Sequence, residues 1–516
     1  MPSRRPRARR PVVALVPAIS LAIVLAAGCG GSRSTVDTQS ASAVQALESN
    51  AAPPTSAAAG DPYADLVYLA SDELRGRRTG TLGNEAAATY IEQALRALGV
   101  SPVPGSSSLR APVPLVERGK AEQAELRFGE SRYSVPGELL PLTRGSVELT
   151  APVVYLTEAE LASPPSAVSG AIVVTEAGSE TSGPDVREWL TLSRERARLL
   201  REAGAVALVE VYRSAVVPFA RLAAGVNREG MVIDEGEETR LPQVYVKAEL
   251  QWDGLRRGQV SVAEATLRME APRHRRLTSD NIVGVLPGTD PALAGEFVAV
   301  TAHFDHIGVT ARPGLADSIN NGARDNGMGT VALLEVARAF SAAPGRRPLL
   351  LMAWTAEEEG LLGSRYWAEH PTLPLERVVF NYNMDGGGYT DTTSVVFNGY
   401  GFTTAQGAID SAIAATGLKS LDDPVPQFGL YRQSDNFSLA AVGVPSVNMA
   451  PGFEGFTDEL LKYYHQPADE AAAVSPTYLQ KYTAAAIAGV RAVADAGRVD
   501  WNADSERVRE YVEIDE

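Results

Sequence analysis

The chain has 516 residues, of which 45% are apolar, 21% charged and 7% aromatic. This composition is that of a globular protein and excludes a largely disordered chain. The length allows roughly two to four domains of about 100–200 residues each. The formal net charge of −16 argues against a nucleic-acid partner, because a phosphate backbone requires a basic surface. The single cysteine excludes an intramolecular disulfide framework and any zinc site built from several cysteines.

The amino terminus has the pattern of an export signal. An arginine cluster is followed by an apolar run from Val12 to Ala27 and by the small residue Gly28, directly before Cys29. The run is short for a membrane-spanning helix, which needs about 20 residues. We therefore expect residues 1–28 to be a signal peptide. Residues 29–60 are rich in Ser, Ala, Gly and Pro, which is typical of a flexible tether.

The position of Cys29 resembles the lipobox of bacterial lipoproteins. In that family the cysteine becomes the acylated first residue of the mature chain. The position three before it, usually Leu, is Ala26 here, and Leu25 stands one place earlier. The resemblance implies an exported protein of the cell envelope, anchored through lipidated Cys29 to the periplasmic or extracellular face of a bacterial membrane. The alternative is an uncleaved anchor with an incidental cysteine.

From Asp61 onward the pattern is globular. Residues 84–98 predict an amphipathic helix that ends at Gly99. Between 128 and 272, short β-rich runs alternate with Gly- and Pro-rich turns, and one charged helix is expected at 185–203. We interpret this part as a smaller, β-rich inserted domain. The expected limits are then 61–127 and 273–497 for the main domain, 128–272 for the insertion and 498–516 for a polar carboxy-terminal tail.

After residue 278, apolar runs alternate with helical patterns. The runs are 297–302, 349–355, 378–384, 395–398 and 445–449, and the helices are 330–340, 361–369, 405–415 and 477–494. Short runs that are almost wholly apolar indicate strands covered on both faces. Their alternation with helices predicts an α/β fold with a three-layer, mostly parallel but mixed sheet flanked by helices. Ligands bind beyond the carboxyl ends of such strands, so the residues after each run are the candidates for a site.

Side chains that can bind a metal follow these runs. They lie in five segments: His303-Phe304-Asp305-His306, Asp325-Asn326-Gly327, Glu357-Glu358-Glu359-Gly360, Asp385-Gly386-Gly387-Gly388 and Tyr464-His465-Gln466-Pro467. Each segment alone is weak evidence, since a run of glutamates is often a solvated helix start and Asp-Asn-Gly is usually a turn. All five nevertheless fall where the architecture places a site, and they contain three of the five histidines of the chain. Their convergence predicts a metal centre.

The residue types indicate the chemistry of this centre. Histidine nitrogen and carboxylate oxygen together suit a divalent cation such as zinc. Two such ions about 3.5–4 Å apart need a bridging carboxylate, and they can share a hydroxide that forms near neutral pH. A free carboxylate must then take up a proton and hand it to the leaving group. This set of groups suits metal-assisted hydrolysis of an amide.

The motifs resemble those of the M28 family of co-catalytic zinc aminopeptidases. They are A-H-F-D-H (302–306), G-A-R-D-N-G (322–327), A-E-E-E-G-L-L-G-S (356–364), N-M-D (383–385) and Y-H-Q-P-A-D (464–469). The segments S-D-E-L-R-G-R-R-T-G-T (71–81) and S-D-N-F (434–437) are similar to that family too. The insertion resembles a protease-associated domain through G-A-I-V-V (170–174) and A-G-A-V-A-L-V (203–209). In relatives that domain covers the mouth of the active site.

The resemblance implies a ligand set for two Zn²⁺ ions per chain. Asp325 would bridge the ions, His303 and Asp385 would complete one site, and Glu358 and His465 would complete the other. His306 is not a ligand in the family. Nothing is assigned to Glu359.

The resemblance also implies three catalytic residues. Glu357 would be the general base that serves a metal-bound hydroxide, and Asp305 would orient the ring of His303. Tyr464 would donate a hydrogen bond to the oxyanion of the tetrahedral intermediate. Asn436 replaces the histidine that frequently follows the Ser-Asp pair, which leaves no assigned role for Asp435.

The expected function is that of an exopeptidase that removes amino-terminal residues from peptides. A dipeptidase or carboxypeptidase of the same fold is the alternative, and it would need a cation for the substrate carboxylate, for which Arg432 and Lys462 are candidates. Glutaminyl cyclases share the fold but use a single zinc, and the intact His303 argues against them. A non-catalytic binding protein would have lost the metal ligands, which are all present here. The sequence carries no indication of oligomeric state or of residue specificity.

Overall fold

The computed structural model describes residues 60–178, 186–213, 217–236, 240–247, 260–310 and 316–512. The expected signal peptide, Cys29 and all of the tether except Gly60 lie outside the described residues. Within them, no helix has the length and apolar character needed to span a membrane. The described residues divide into two units, one holding 60–113 and 278–512 and the other holding 114–277.

The first unit is built on a mixed sheet flanked by helices, which confirms the predicted fold class. From one edge of the sheet toward the other, its strands are Lys419–Asp422, Ser394–Asn398, Ser446–Pro451, Val378–Met384, Phe297–His303, Leu349–Trp354, His274–Leu286 and Arg110–Arg118. The four strands in the middle run parallel to one another. The strands on either side of these four, Ser394–Asn398 and His274–Leu286, pair with them in the antiparallel direction.

Three of the four central strands are buried at every position because both of their faces are covered. Every residue of Phe297–His303 and of Leu349–Trp354 is buried, and nearly all of them are apolar. Such strands show no alternation of polar and apolar residues, as expected for the middle of a three-layer domain. Polar side chains are therefore concentrated at the carboxyl ends of these strands.

Five helices of the first unit lie close to their predicted limits: Leu82–Ala97, Met328–Ala342, Leu362–Glu369, Gln406–Ala414 and Pro476–Ala494. The shorter helices Pro62–Leu69, Asn436–Ala440 and Asp458–Leu461 were not predicted. The start of Leu82–Ala97 is fixed by Thr81, whose hydroxyl accepts a hydrogen bond from the Asn84 N–H group at 3.3 Å. A threonine in this position satisfies one of the free N–H groups of the first turn.

The segment predicted as a polar tail includes a short 3-10 helix, Glu506–Glu510. Its Val508 side chain is completely buried in an apolar cluster with Phe402 and Tyr431. The described part of this segment thus adds to the apolar packing of the first unit.

The second unit contains its own mixed sheet. Its strands are, in order, Ser131–Ser134, Ala124–Phe128, Val260–Met269, Val147–Tyr155, Ile172–Glu176, Ala207–Tyr212, Gln243–Lys247 and Leu139–Pro141, and its helices are Glu158–Leu161, Val186–Glu202 and Phe219–Val226. In addition, Leu115 to Arg118 pairs with strand Gly230–Ile233. The unit begins and ends within long strands, so its limits of 114 and 277 differ from the expected 128 and 272. Its resemblance to a protease-associated domain stays a prediction.

Candidate active site

The predicted ligands lie at one edge of the sheet of the first unit. Three strands carry candidate residues at their carboxyl ends: His303 ends strand Phe297–His303, Glu357 and Glu358 follow strand Leu349–Trp354, and Asp385 follows strand Val378–Met384. Asp325 lies in the turn Ala323–Gly327. His465 lies in the loop after helix Asp458–Leu461. The three strands are parallel, so their carboxyl ends meet at the same edge. The fold therefore brings together all five predicted metal ligands and Glu357.

Asp325 lies between two histidines. Its Oδ1 atom is 3.6 Å from His303 Nε2, and its Oδ2 atom is 3.3 Å from His465 Nε2. Asp385 Oδ1 is 3.0 Å from the same nitrogen of His303, and Glu358 Oε2 is 3.2 Å from the same nitrogen of His465. The site thus consists of two histidine–carboxylate pairs with the Asp325 carboxylate between them.

The side chains of the site fit zinc. The candidate ligand atoms form two groups, in each of which all atoms lie within 4.8 Å of one another: His306, Asp325, Glu358 and His465 in one, and His303, Glu357 and Asp385 in the other. Carboxylates that are buried so close together repel one another unless a cation is bound between them. Imidazole nitrogen and carboxylate oxygen are the donors that zinc takes in catalytic sites.

The two adjacent glutamates of the site have opposite proton affinities. Burial raises the pKa of Glu357 well above its usual range. Burial acts in the same direction on Glu358, but His465 and His306 outweigh it and hold the pKa of that carboxyl well below its usual range. A carboxyl that readily holds a proton suits proton transfer, whereas a permanently charged carboxylate suits a metal ligand.

The carboxylate of Asp305 holds the backbone of these glutamates in place. Its Oδ1 atom accepts a hydrogen bond from the Glu357 N–H group at 3.0 Å, and its Oδ2 atom accepts one from the Glu358 N–H group at 3.3 Å. The Thr79 hydroxyl donates to Oδ2 at 3.1 Å. His303 Nδ1 lies 3.2 Å from the Asp305 backbone carbonyl oxygen and 3.9 Å from the carboxylate. The ring of His303 is thus oriented by the main chain of Asp305.

Tyr464 lines the cavity beside the ligands. Its ring stacks on the His465 ring, with centroids 4.0 Å apart and planes inclined by 23°. A Cβ atom at position 387 would lie 2.3 Å from Tyr464 Cδ2, so only glycine leaves room for this ring. Burial raises the pKa of Tyr464 well above its usual range, so its hydroxyl stays neutral and able to donate a hydrogen bond.

His306 is a member of the site to which sequence reasoning assigned no role. Its Nδ1 atom is 2.6 Å from Glu358 Oε1, and its ring centroid is 5.5 Å from that of His465. The residue is completely buried, and its Nε2 atom has no hydrogen-bond partner among the described residues. The sequence indicated a possible role for this residue only through its position, as the second histidine of the segment His303-Phe304-Asp305-His306.

Arg77 lies in the opening segment of the domain and supports the site through hydrogen bonds to its backbone. Its buried guanidinium donates hydrogen bonds to four backbone carbonyl oxygens, those of Leu69, Phe304, Asn321 and Gly322. Burial lowers the pKa of Arg77 to about 10, which still leaves it charged at neutral pH. The signal in the sequence was the likeness of residues 71–81 to the family, but that likeness did not indicate what the arginine contacts.

The cavity in front of the ligands has a volume of ≈ 150 Å³ and a largely apolar wall that includes Leu430, Ala450, Phe453, Phe456 and Leu460. Neither Arg432 nor Lys462 is among the described residues that line it. Arg432 instead donates to the backbone carbonyl of Glu510, and the ammonium of Lys462 lies 4.9 Å from the ring centroid of Tyr463. The described lining contains no arginine or lysine.

Comparisons with known proteins agree with this architecture. A family model, peptidase family M28, matches residues 281–490. The chain is similar to aminopeptidase YwaD of Bacillus subtilis, with 29% identity over 255 residues that make up 48% of this chain and 50% of that protein. It is also similar to probable leucine aminopeptidase 2 of Aspergillus oryzae, with 27% identity over 208 residues, or 39% of this chain and 38% of that protein. The chain thus spans half or less of the length of these relatives.

A solved structure shows the same fold. The aminopeptidase from Aneurinibacillus sp. strain AM-1 superposes with a TM-score of 0.50 and 18% sequence identity. The superposition covers 85% of this chain and 94% of that one.

Proposed function

We propose that the chain is a zinc-dependent aminopeptidase that removes amino-terminal residues from peptides, because residues 281–490 match the model of peptidase family M28. The observation that carries the proposal is the position of Asp325, whose two oxygens face two separate histidines, His303 and His465. This is the arrangement required of a carboxylate that bridges two ions. The similarity to YwaD, an aminopeptidase, supports the same reaction class.

In this proposal two zinc ions are held by the five predicted ligands. Asp325 is shared, His303 and Asp385 complete one site, and Glu358 and His465 complete the other. When bound, zinc polarises the scissile carbonyl and lowers the pKa of water toward neutrality. The hydrogen bonds that the Asp305 carboxylate accepts from the backbone N–H groups of Glu357 and Glu358 keep these side chains in position for the metal and for the substrate.

Glu357 carries the proton from the attacking water to the departing amine. Its Oε2 atom lies 3.9 Å from His303 Nε2, at the edge of the ligand set, and burial raises its pKa, which makes the carboxylate a stronger base. A carboxylate in this position can accept the proton of water and then donate it to the amine nitrogen. The neutral hydroxyl of Tyr464 donates a hydrogen bond to the carbonyl oxygen as that oxygen becomes negatively charged.

A carboxypeptidase or dipeptidase of the same fold is the second candidate. Such an enzyme needs a cation to bind the free carboxylate of its substrate. Arg432 and Lys462, the candidates for that task, make other contacts and are absent from the described lining of the cavity. This favours the aminopeptidase.

We also propose that the mature chain is anchored to the outward face of a bacterial membrane through lipidated Cys29. Support comes from the order of arginine cluster, short apolar run and cysteine in residues 1–29. Cells grown with a fatty-acid probe should label the wild-type protein and leave the Cys29→Ser variant unlabelled. Absence of label on the wild type would contradict the anchor.

The test of the activity is hydrolysis of aminoacyl p-nitroanilides by the purified protein, with and without a chelator. We expect hydrolysis of substrates with a free amino group, none of their N-acetylated forms, loss of activity with the chelator, and recovery with added zinc. Cleavage of N-blocked peptides at a free carboxyl end would favour the carboxypeptidase. Protein that neither binds zinc nor cleaves any substrate would favour a binding function.

A further inference from the structure

A row of polar side chains crosses the sheet just before the ligands. Thr301, Asn383, Asn448 and Asn398 occupy register positions opposite one another on four adjacent strands. The Thr301 hydroxyl donates to Asn383 Oδ1 at 2.7 Å, and Asn383 Nδ2 donates to Asn448 Oδ1 at 3.0 Å. Asn448 Nδ2 in turn donates to the backbone carbonyl of Asp385 at 3.0 Å. The first three members of the row are therefore joined by hydrogen bonds.

Asn398, the last member of the row, differs from the others. It lines the cavity in front of the ligands and is only 5% exposed. Its Oδ1 atom is buried and has no hydrogen-bond partner among the described residues. Buried amide oxygens are normally paired, because an unpaired one has lost its water without compensation. An amide group can also turn by 180°, so either its oxygen or its nitrogen can face the cavity.

The remaining wall of the cavity indicates what could pair with this amide. Leu430, Ala450, Phe453 and Leu460 make much of this wall apolar. The only charged groups in the described lining belong to the candidate ligands and Glu357. A substrate side chain with an apolar stem and an uncharged polar end would thus find contacts for both parts. A charged end would find no opposite charge outside the metal centre.

We infer that Asn398 determines specificity, and that the enzyme prefers amino-terminal residues whose side chains end in an uncharged hydrogen-bonding group such as an amide. This inference rests on the proposed aminopeptidase function. Glutamine is the test case, because its amide has both a donor and an acceptor and so pairs with whichever atom of the Asn398 amide faces the cavity, while its methylene groups lie against the apolar wall. Methionine has a similar length but neither an N–H donor nor a strong acceptor, so it leaves the Asn398 amide unpaired. Sites built for a hydrogen bond reject analogues that lack the polar group.

The experiment compares kcat/KM of the zinc-loaded enzyme for glutamine p-nitroanilide and methionine p-nitroanilide. We expect the wild type to prefer glutamine by about tenfold or more. Asn398→Leu replaces the amide with an apolar group of similar size and should lower this ratio to one or below. Gln480→Leu removes an exposed amide from helix Pro476–Ala494 and serves as the matched control, with an unchanged ratio.

Two results would overturn the inference: a wild type that cleaves methionine as well as glutamine, or an Asn398→Leu variant that keeps the preference. Zinc content and thermal unfolding show whether the variant is folded. If Asn398→Leu does not fold, Asn398→Ser provides the test instead. Its shorter side chain leaves the amide of glutamine out of reach, so the ratio of kcat/KM for glutamine to that for methionine should fall as well. A wild type that cleaves neither substrate would contradict the proposed function, whereas cleavage without preference contradicts only the role of Asn398.

Discussion

The carboxylate of Asp469 accepts a hydrogen bond from the backbone N–H group of Asp325 at 3.2 Å. The same carboxylate accepts a second one, from the N–H group of Arg324, at 2.9 Å. Asp469 is completely buried and lies in the same loop as His465. The loop that carries one ligand is therefore attached to the turn that carries the proposed bridging ligand.

Replacing Asp469 by Asn should weaken zinc binding by about ten- to a hundredfold. Asparagine has only one side-chain oxygen, so its NH₂ group would face the backbone N–H group of Arg324, of Asp325 or of both. Two donors that face each other cannot form a hydrogen bond, and the turn around Asp325 would shift. Competition with a chromophoric chelator measures the affinity. Asp458→Asn, which changes an exposed carboxylate of helix Asp458–Leu461, is the control and should bind zinc like the wild type. Equal affinities of both variants would contradict the role of Asp469.

Replacing Glu357 by Gln should lower kcat by about 10²- to 10⁴-fold, because the amide cannot transfer the proton. Zinc content and thermal unfolding should stay unchanged, since Glu357 is not one of the five proposed ligands. Glu359→Gln is the matched control, because the Glu359 carboxylate pairs with Arg78 at 3.2 Å and is absent from the described lining of the cavity. Near-normal turnover by the Glu357→Gln variant would rule out this residue as the proton carrier.

Replacing Arg77 by Met should lower the free energy of unfolding by about 3 kcal/mol or more, since four buried carbonyl oxygens each lose a hydrogen bond from a charged donor. Urea denaturation followed by circular dichroism measures the loss. Arg75→Met removes an exposed arginine from the same 3-10 helix, Asp72–Arg77, and should have a much smaller effect. Similar midpoints for the two variants would show that the carbonyl contacts of Arg77 contribute little.

Replacing Gly363 by Ala should destabilise the protein by about 1–3 kcal/mol through overpacking. The new Cβ atom would lie 2.1 Å from the Thr355 carbonyl oxygen, so helix Leu362–Glu369 would have to move away from the segment that carries Glu357. Gly407→Ala is the matched change in helix Gln406–Ala414, where a Cβ atom meets nothing within 4 Å. It should stabilise the protein by about 0.5–1 kcal/mol, because alanine favours the helix. Thermal unfolding of both variants distinguishes these opposite signs.

The central part of the fold and the ligand positions could be predicted from the sequence because both depend on local pattern. Wholly apolar runs mark buried parallel strands, and polar residues directly after them mark the binding edge of the sheet. The contacts of Arg77 and Asp469 could not be predicted, because they join backbone groups of segments far apart in the chain. The long antiparallel strands Val260–Met269 and His274–Leu286 were also not predicted, since their exposed polar residues mask the apolar signal.

The hydrogen bonds that Asp305 accepts from Glu357 and Glu358 have a consequence for how such a site can vary. One carboxylate fixes the main chain of both the proposed proton carrier and a proposed metal ligand, so neither can be displaced without the other. Changes that tune metal affinity through this segment therefore also alter proton transfer. Leu430 and Phe453 line the same cavity, but they take no part in these two hydrogen bonds, so the apolar lining can change without disturbing them.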